Sequence, residues 1–248
     1  MDNRNLQQLR SAEAIYTIMS GCTRMPLVMC DAETFDDEVL VYFSEEDAQN
    51  RGKEFVQAGD PVQLVKIDKA SRLSFFTGLF PMGVNSVLVN AGLEGEVRVQ
   101  LGDLITRPDA EKLPDGKIRV ENPELQLTAL YLLQKIRRKQ RPEEAEEIKE
   151  LNEEMMAHFH RGTYIVATEE GKGLPILKQK DGKAFQPIFT DIQEMKKFQF
   201  LSKDAVFQPK VVEAAKIPEM LAPEAEGVTV NPFSINLQLQ IKRKEKTV

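Results

Sequence analysis

The stretch PIFTDIQ (Pro187–Gln193) has an earlier counterpart, VYFSEED (Val41–Asp47), in the same chain of 248 residues. In both, apolar residues typical of a strand lead through phenylalanine to a hydroxyl residue and then to an acidic residue. A hydroxyl side chain can accept a free backbone N–H at a helix start, and acidic residues suit the positive end of a helix. Each stretch therefore predicts a strand followed by a capped helix, with Ser44 and Thr190 as the N-caps.

The similarity between the two parts of the chain extends well beyond these seven residues. Phe43 matches Phe189, and further on Asn90 in SVLVNAG matches Asn231 in GVTVNPFS. The spacing from phenylalanine to asparagine is 47 residues in the first part and 42 in the second. The length difference falls where surface loops are expected, and such loops accept insertions at a small entropic cost. The sequence therefore predicts an internal duplication.

Both copies predict an α+β fold, with two internally repeated sheet-plus-helix units joined by a helical connector. AIYTIMSG, from Ala14, aligns with TYIVATEE, from Thr163, and the second version is rich in the β-branched and aromatic residues of strands. The alignment therefore ends the first helix near Ala12 and begins a strand near Ala14. A hairpin, the capped helix and further alternating strands follow in each copy.

The predicted domain boundaries are 1–107 for the first repeat, 108–141 for the helical connector and 142–248 for the second repeat. Asn122-Pro123 predicts the start of the connector helix, because proline at the first turn has no N–H to leave unpaired. The helix that follows is apolar on most sides, so part of it is expected to be buried.

Composition argues against several classes of protein. The formal charge of -6 and the pI near 5.3 disfavour nucleic acid and anionic membranes as partners. No apolar run approaches the roughly 20 residues of a membrane span, and the N-terminus lacks the apolar core of a secretory signal. Cys22 and Cys30 are too few for a disulfide framework, so we predict reduced thiols and a cytoplasmic protein.

The pieces PLV and LPIL, each followed by a hairpin, then VYFSEED and PIFTDIQ, and later VNAG and VNPFS, resemble the SseB N-terminal domain family. The resemblance covers residues 23–92 and 173–234. It implies two tandem small α+β domains in a bacterial cytoplasmic protein, and it supplies no catalytic residue. The first copy lacks the family's proline after Asn90, and the second lacks the glycine after Asn231-Pro232.

Signatures of catalysis, cofactor binding and metal binding are absent from the sequence, so no catalytic residue, cofactor or metal is predicted. His158 and His160 lie two positions apart, and on a helix they point to different faces. The acidic hairpin with Asp31, Asp36 and Asp37 does not follow the spacing of a calcium loop and is expected to be a solvated turn. The basic run KIRRKQR (residues 135–141) indicates a helix end that pairs with the glutamates beyond Pro142.

Four matched polar residues, Ser44, Asn90, Thr190 and Asn231, are the candidate binding residues. They lie at strand ends and helix starts, where free backbone donors could hold an anion or a carboxylate of a partner. The structural alternative for the two asparagines is an Asx-turn, in which the side chain bonds the nearby backbone.

The leading hypothesis is a non-enzymatic protein-interaction or ligand-binding module with a protein partner. Its binding surface would be the cleft between the copies or an exposed sheet edge that accepts another chain. One alternative is an enzyme with its active site at the seam, for example with Asp36 or Asp37 beside His158 or His160. Another is a homo-oligomer that pairs through sheet edges.

Overall fold

The computed structural model describes residues 3–108, 113–114, 118–139, 141–171, 173–202 and 205–244. The chain forms two compact units. Unit 1 contains residues 1–117 and 126–152, and unit 2 contains residues 118–125 and 153–248. The segment predicted as a separate connector, 108–141, is therefore divided between the units, as is the start of the predicted second repeat.

Unit 1 is built on a six-stranded mixed sheet. Its strands are β1 (Ala14–Ser20), β2 (Val28–Cys30), β3 (Asp37–Tyr42), β4 (Val62–Asp68), β5 (Ser86–Val89) and β6 (Val97–Gln100). The order is β4-β1-β3-β5-β6, with β2 paired to β3 outside this path. Within this sheet β3 and β5 are the parallel pair, and two helices and a further strand separate them in sequence. β4 and β6 therefore lie at the two edges.

The helices of unit 1 follow the predicted pattern. They are α1 (Asn3–Ser11), α2 (Glu45–Gln57), α3 (Arg72–Leu79) and α4 (Leu101–Leu104). The prediction that the first helix ends near residue 12 and that a strand begins near residue 14 is confirmed. α2 packs on the face of the sheet where Ile18, Leu40 and Tyr42 form an apolar cluster with Ala48.

Two helices contain residues of both units: α5 (Pro123–Ile136) and α6 (Ala145–Arg161). α5 begins at a proline, as predicted, since its first N–H would have no partner inside the helix. Neither these helices nor any other in the described part of the chain has the length and apolar character needed to cross a membrane.

Unit 2 repeats the topology of unit 1. Its strands are β7 (Thr163–Glu169), β8 (Leu177–Lys178), β9 (Ala184–Phe189), β10 (Phe207–Glu213), β11 (Gly227–Val230) and β12 (Leu237–Gln240), and its helices are α7 (Ile192–Leu201) and α8 (Ile217–Met220). The order β10-β7-β9-β11-β12, with β8 on β9, reproduces that of unit 1 strand for strand. The predicted α+β fold with two similar sheet-plus-helix units is confirmed.

The pairing of strands corrects one match made from the sequence. Val41 pairs with Val89 in unit 1, and Ile188 pairs with Val230 in unit 2. Val89 and Val230 directly precede the matched asparagines, Asn90 and Asn231, so their partners Val41 and Ile188 also match each other. The next residues in those strands, Tyr42 and Phe189, are therefore matched as well. The predicted match of Phe43 with Phe189 is wrong by one residue. In a strand a slip of one position exchanges the two faces, and it is Tyr42, without solvent exposure, that fills the core.

Candidate interaction surface

The corrected match also moves one of the predicted helix caps. Ser44 is the N-cap of α2, and its hydroxyl accepts the N–H of Asp47 at 3.3 Å. In unit 2 the N-cap of α7 is Asp191, whose carboxylate accepts the N–H groups of Gln193 and Glu194 at 2.8 and 3.1 Å. Thr190 precedes the cap, so the prediction that it caps the helix is wrong.

Thr190 and Asn231, predicted as binding residues, are brought together inside unit 2. The Asn231 Oδ1 accepts the Thr190 N–H at 3.0 Å, and the Asn231 Nδ2 donates to the Thr190 Oγ1 at 2.8 Å. The Nδ2 of Asn122 donates to the Thr190 carbonyl at 3.0 Å. Neither Thr190 nor Asn231 has solvent-exposed surface. Their polar groups therefore stabilise the junction of β9 and β11.

The two matched asparagines share a backbone conformation that the turn after the strand requires. Asn90 has a φ of 53° and Asn231 a φ of 48°, in the left-handed region that asparagine tolerates better than most residues. The N–H of Asn90 donates to the Val41 carbonyl at 2.8 Å, and that of Asn231 to the Ile188 carbonyl at 2.9 Å. The left-handed φ expected of the two asparagines is thus present, but the side chain of Asn231 bonds Thr190 and not the nearby backbone of an Asx-turn. The binding role of the four residues stays a prediction.

The outer edge of β4 carries backbone groups that the sheet does not use. The N–H of Ser20 donates to Met25, and the carbonyl of Ile18 accepts from Leu27. These groups of β1 face away from β4, so Ser20 and Ile18 form non-hydrogen-bonded pairs with their β4 partners, Val62 and Leu64.

In a non-hydrogen-bonded pair the backbone groups of both residues point away from each other. The N–H and C=O groups of Val62, Leu64 and, by alternation, Lys66 therefore face outward from the sheet. Within the described ranges, no strand pairs with β4 on that side. A row of unpaired donors and acceptors of this kind is a template for another strand.

The matching edge in unit 2 is blocked at two positions of its outward row. Phe207 of β10 takes the place of Val62, because Val62 pairs with the last residue of β1 and Phe207 with the last residue of β7. The N–H of Phe207 donates to the Gln199 Oε1 at 2.8 Å and therefore faces outward from the sheet. By alternation, the outward row of β10 consists of residues 207, 209 and 211. The second position of this row is Pro209, which has no N–H.

Unit 1 also has an apolar groove between α2 and the β4 side of the sheet. Its volume is about 440 Å³, within the range of about 300–1,000 Å³ that ligand pockets occupy. The lining residues are Ile18, Ala48, Gln49, Gly52, Lys53, Val56, Gln57, Val62 and Leu64. Val56, at its rim, is 58% exposed. The groove and the outward edge of β4 therefore adjoin through Val62 and Leu64.

Small residues open this groove, and their matches in unit 2 are large. When α2 and α7 are aligned at their N-caps, Ala48 matches Met195 and Gly52 matches Gln199. The strand registers match Val62 with Phe207. In unit 2 the Phe207 ring lies 5.1 Å from that of Phe198, between ring centroids. Unit 2 thus fills with its own side chains the region that unit 1 leaves open.

The acidic hairpin of unit 1 is organised around an arginine. The guanidinium of Arg98 lies 2.6 Å from the Asp31 carboxylate, 2.7 Å from that of Glu38 and 3.7 Å from that of Asp36. The N–H of Thr34, with further help from its hydroxyl and from Arg98, lowers the pKa of Asp31 to about 2. Residues 32–35 at the tip are exposed, as expected of a solvated turn, but the carboxylates of Asp31 and Asp36 are partly buried and held by ion pairs.

Asp37, beside this cluster, has a different environment. It accepts a hydrogen bond from the Tyr131 hydroxyl at 2.5 Å, and burial raises the pKa of its carboxyl. Burial and the adjacent Asp37 also raise the pKa of Tyr131. No group of three or more His, Cys, Asp or Glu side chains in the described part of the chain is arranged to hold a metal ion.

The basic segment at 135–141 is used within unit 1. Arg138 forms ion pairs with Asp60 and Glu144, and Lys135 lies 3.2 Å from Glu144. The Arg137 guanidinium donates to the Cys22 carbonyl at 3.0 Å. The predicted pairing of these cations with glutamates beyond Pro142 is confirmed.

The two histidines lie in the last turn of α6, as predicted. His158 lies 3.3 Å from Glu154 one turn earlier, and with Arg119 and Arg161 it lines a unit 2 cavity of about 470 Å³. Glu121 and Glu124 line the same cavity, so its charges are mixed. Asp36 and Asp37, named with the histidines in the enzyme alternative, belong to unit 1.

Two residues in the sequence point to the difference between the β4 and β10 edges. Gly52 lies inside a helix, where glycine weakens the helix and calls for a packing reason. Pro209 lies inside a strand, which marks that strand as an edge. Only a residue-by-residue match of the two units shows that Gly52 corresponds to Gln199 and that Pro209 corresponds to Leu64.

Comparison with known proteins gives two similar solved structures. Tic22 from Plasmodium falciparum is 13% identical, covers 90% of this chain and 90% of its own, and superposes with a TM-score of 0.23. Anabaena Tic22 (protein transport) is 10% identical, covers 86% of this chain and 83% of its own, and has a TM-score of 0.23. No protein-family model matches the sequence, and no curated protein sequence is similar enough to count as a match.

Proposed function

We propose that this chain is a non-enzymatic interaction module that binds a partner polypeptide as an added strand on the outer edge of β4. The observation that carries the proposal is the outward row of backbone groups at Val62, Leu64 and Lys66. A partner in extended conformation would satisfy these groups with main-chain hydrogen bonds.

The contrast with unit 2 supports the proposal. Natural proteins protect edge strands with proline, charge or covering segments, because open edges recruit other chains. β10 has Pro209 and the Gln199 side chain at its outward positions, while β4 has neither. The outward donors of β4 thus remain in place where the matching strand of the other unit has lost two, which is what a binding edge requires.

The remaining parts of the proposal rest on the sequence. We place the chain in the SseB N-terminal domain family, as a bacterial cytoplasmic protein, on the motifs around Phe43, Phe189 and the two turn asparagines. The partner is a protein rather than nucleic acid, since the net charge is negative and the strongest basic run is engaged in ion pairs.

The test is photo-crosslinking from matched positions in the full chain, inside its own cells. Gln63 in β4 and Gln208 in β10 are both exposed and occupy the same place in their sheets. With p-benzoylphenylalanine at one position or the other, we expect a discrete polypeptide adduct from position 63 and none from position 208.

The second stage identifies the binding geometry. The crosslinked segment, made as a synthetic peptide, should slow amide hydrogen exchange at Val62, Leu64 and Lys66. Leu64→Pro places in β4 the residue that β10 has at the matched position, and it should abolish the adduct from position 63. Equal adducts from both positions, or unchanged exchange at the three amides, would contradict strand addition.

A further inference from the structure

We infer that the groove of unit 1 receives a large apolar side chain, aromatic for preference, from the strand that β4 binds. This inference rests on the proposed function and specifies the partner: an extended segment with an aromatic residue facing α2. It concerns the groove lined by Ala48, Gly52, Val62 and their neighbours.

The first argument is geometric. Along β4, Val62 and Leu64 face the groove and α2, while Gln63 faces the opposite side, since side chains alternate in a strand. A strand added to the β4 edge has the same alternation, so every second side chain projects over the α2 face. The groove lies directly beside that edge, and its walls at Ile18, Val56 and Val62 are apolar.

The second argument comes from the occupant of the same region in unit 2. There Phe207 replaces Val62, and its ring packs against Phe198, while Met195 replaces Ala48. In unit 2 an aromatic ring, that of Phe207, therefore occupies the space between α7 and the edge of the sheet. Unit 1 has the smaller residue at each of these two positions, Ala48 and Val62.

The third argument concerns the charge at the groove. Lys53 is the charged residue among its described lining, and its Nζ donates to the exposed Asn50 side chain at 3.1 Å. An ammonium group at the rim of an apolar site favours an acidic neighbour of the inserted ring. The partner segment is therefore extended, with an aromatic residue and an acidic residue nearby.

The test uses two seven-residue peptides on the full chain. Both are acetylated and amidated, with threonine throughout except glutamate at the second and sixth positions; the fourth position is phenylalanine in one and alanine in the other. Binding is followed by amide chemical shifts of the isotope-labelled protein. We expect the phenylalanine peptide to bind at least about tenfold more tightly, because burial of a phenyl ring drives association.

Val62→Phe should remove this preference, because it fills the groove with the ring that unit 2 has and leaves the backbone of β4 unchanged. Ala48→Met, which copies Met195, provides a second way to fill the groove if the first variant folds poorly. Gln63→Phe adds the same ring to the opposite face of β4 and is the matched control. It should keep the full preference for the phenylalanine peptide.

The outcomes separate this inference from the proposed function. Equal binding of both peptides to the unchanged protein, with shifts at Val62, Leu64 and Lys66, would overturn the groove inference and leave strand addition standing. A preference that persists in both groove-filled variants would also overturn it. Failure of both peptides to shift the β4 amides would overturn strand addition and the groove inference together.

Discussion

The edge strands β4 and β10 occupy the same place in two sheets of the same topology, yet they treat their outward backbone groups in opposite ways. In β10 a glutamine side chain takes one outward N–H, and a proline removes another. In β4 the matching residues, Gly52 and Leu64, leave both outward N–H groups in place. Topology therefore sets where an edge lies, and two side chains decide whether it is available to another chain.

The largest effect is expected at a glycine that distinguishes the sheets. A Cβ at Gly227 would overlap the carbonyl oxygen of Leu239 and lie 2.8 Å from the Ile241 nitrogen. Gly227→Ser, which installs the matched residue of unit 1, should destabilise unit 2 by about 3 kcal/mol, since the obstacle is rigid backbone. Hydrogen exchange of β11 and β12 measures this.

The reciprocal change in unit 1 is the control. Ser86 is fully buried, and its hydroxyl has no hydrogen-bond partner in the described structure. Ser86→Gly therefore removes little and should cost about 1 kcal/mol, mainly through the flexibility of glycine in a strand. Similar losses of stability in Gly227→Ser and Ser86→Gly would show that the space available to a side chain does not distinguish β11 from β5.

The next effect compares the two turn asparagines. Asn231→Ala removes two hydrogen bonds to Thr190 and strains a left-handed residue, so it should destabilise unit 2 by about 2 kcal/mol. Asn90→Ala meets chiefly the backbone strain, so it should destabilise unit 1 by about 1 kcal/mol. Urea unfolding followed by circular dichroism and unit-resolved hydrogen exchange gives both values.

Glycine separates the two causes in this comparison. Asn231→Gly relieves the backbone strain but still loses the bonds to Thr190, so it should recover only part of the stability. Full recovery would mean that the side-chain bonds contribute little.

A smaller change in stability accompanies the conversion of β10 into an open edge. Gln199→Ala with Pro209→Leu frees the Phe207 N–H and restores the missing donor, at a cost of about 1–2 kcal/mol for the lost glutamine bonds. Photo-crosslinking from position 208 should then give the adduct expected from position 63. A folded double variant that still gives none would show that the two side chains are not what closes this edge.

The smallest effect is local to the hairpin of unit 1. The folded pKa of Asp31, about 2, lies below the usual value for aspartate. The ionised carboxylate thus stabilises the hairpin at neutral pH, and this contribution is lost as the pH falls from about 4 through about 2. Carboxyl carbon shifts should show the low midpoint, and Thr34→Ala should raise it. An unchanged midpoint in that variant would exclude the Thr34 hydroxyl as a contributor and leave the backbone N–H of residue 34 as the cause.

The sequence predicted what depends on local pattern and on comparison of the two copies. The strand at Ala14, the cap at Ser44 and the hairpins follow from propensity, capping chemistry and alternation. The cap at Asp191 was missed because threonine and aspartate are both good caps, and adjacent positions cannot be separated without the strand register. The open edge of β4 depends on contacts between residues distant in sequence, such as Gln199 and Phe207 in the unit where that edge is closed.

The two units are not consecutive blocks of sequence, and this has a consequence for the newly made protein. Unit 1 needs residues 126–152, which leave the ribosome only after residues 118–125 of unit 2. Chains are synthesised from the N-terminus at about 5–20 residues per second. Unit 1 thus stays incomplete for seconds after its last strand emerges, and unit 2 must wait for nearly the whole chain. Throughout that interval unit 1 lacks the contacts that α5 supplies, such as the hydrogen bonds of Tyr131 to Asp37 and of Gln134 to Val28, a period in which a chaperone would have most to protect.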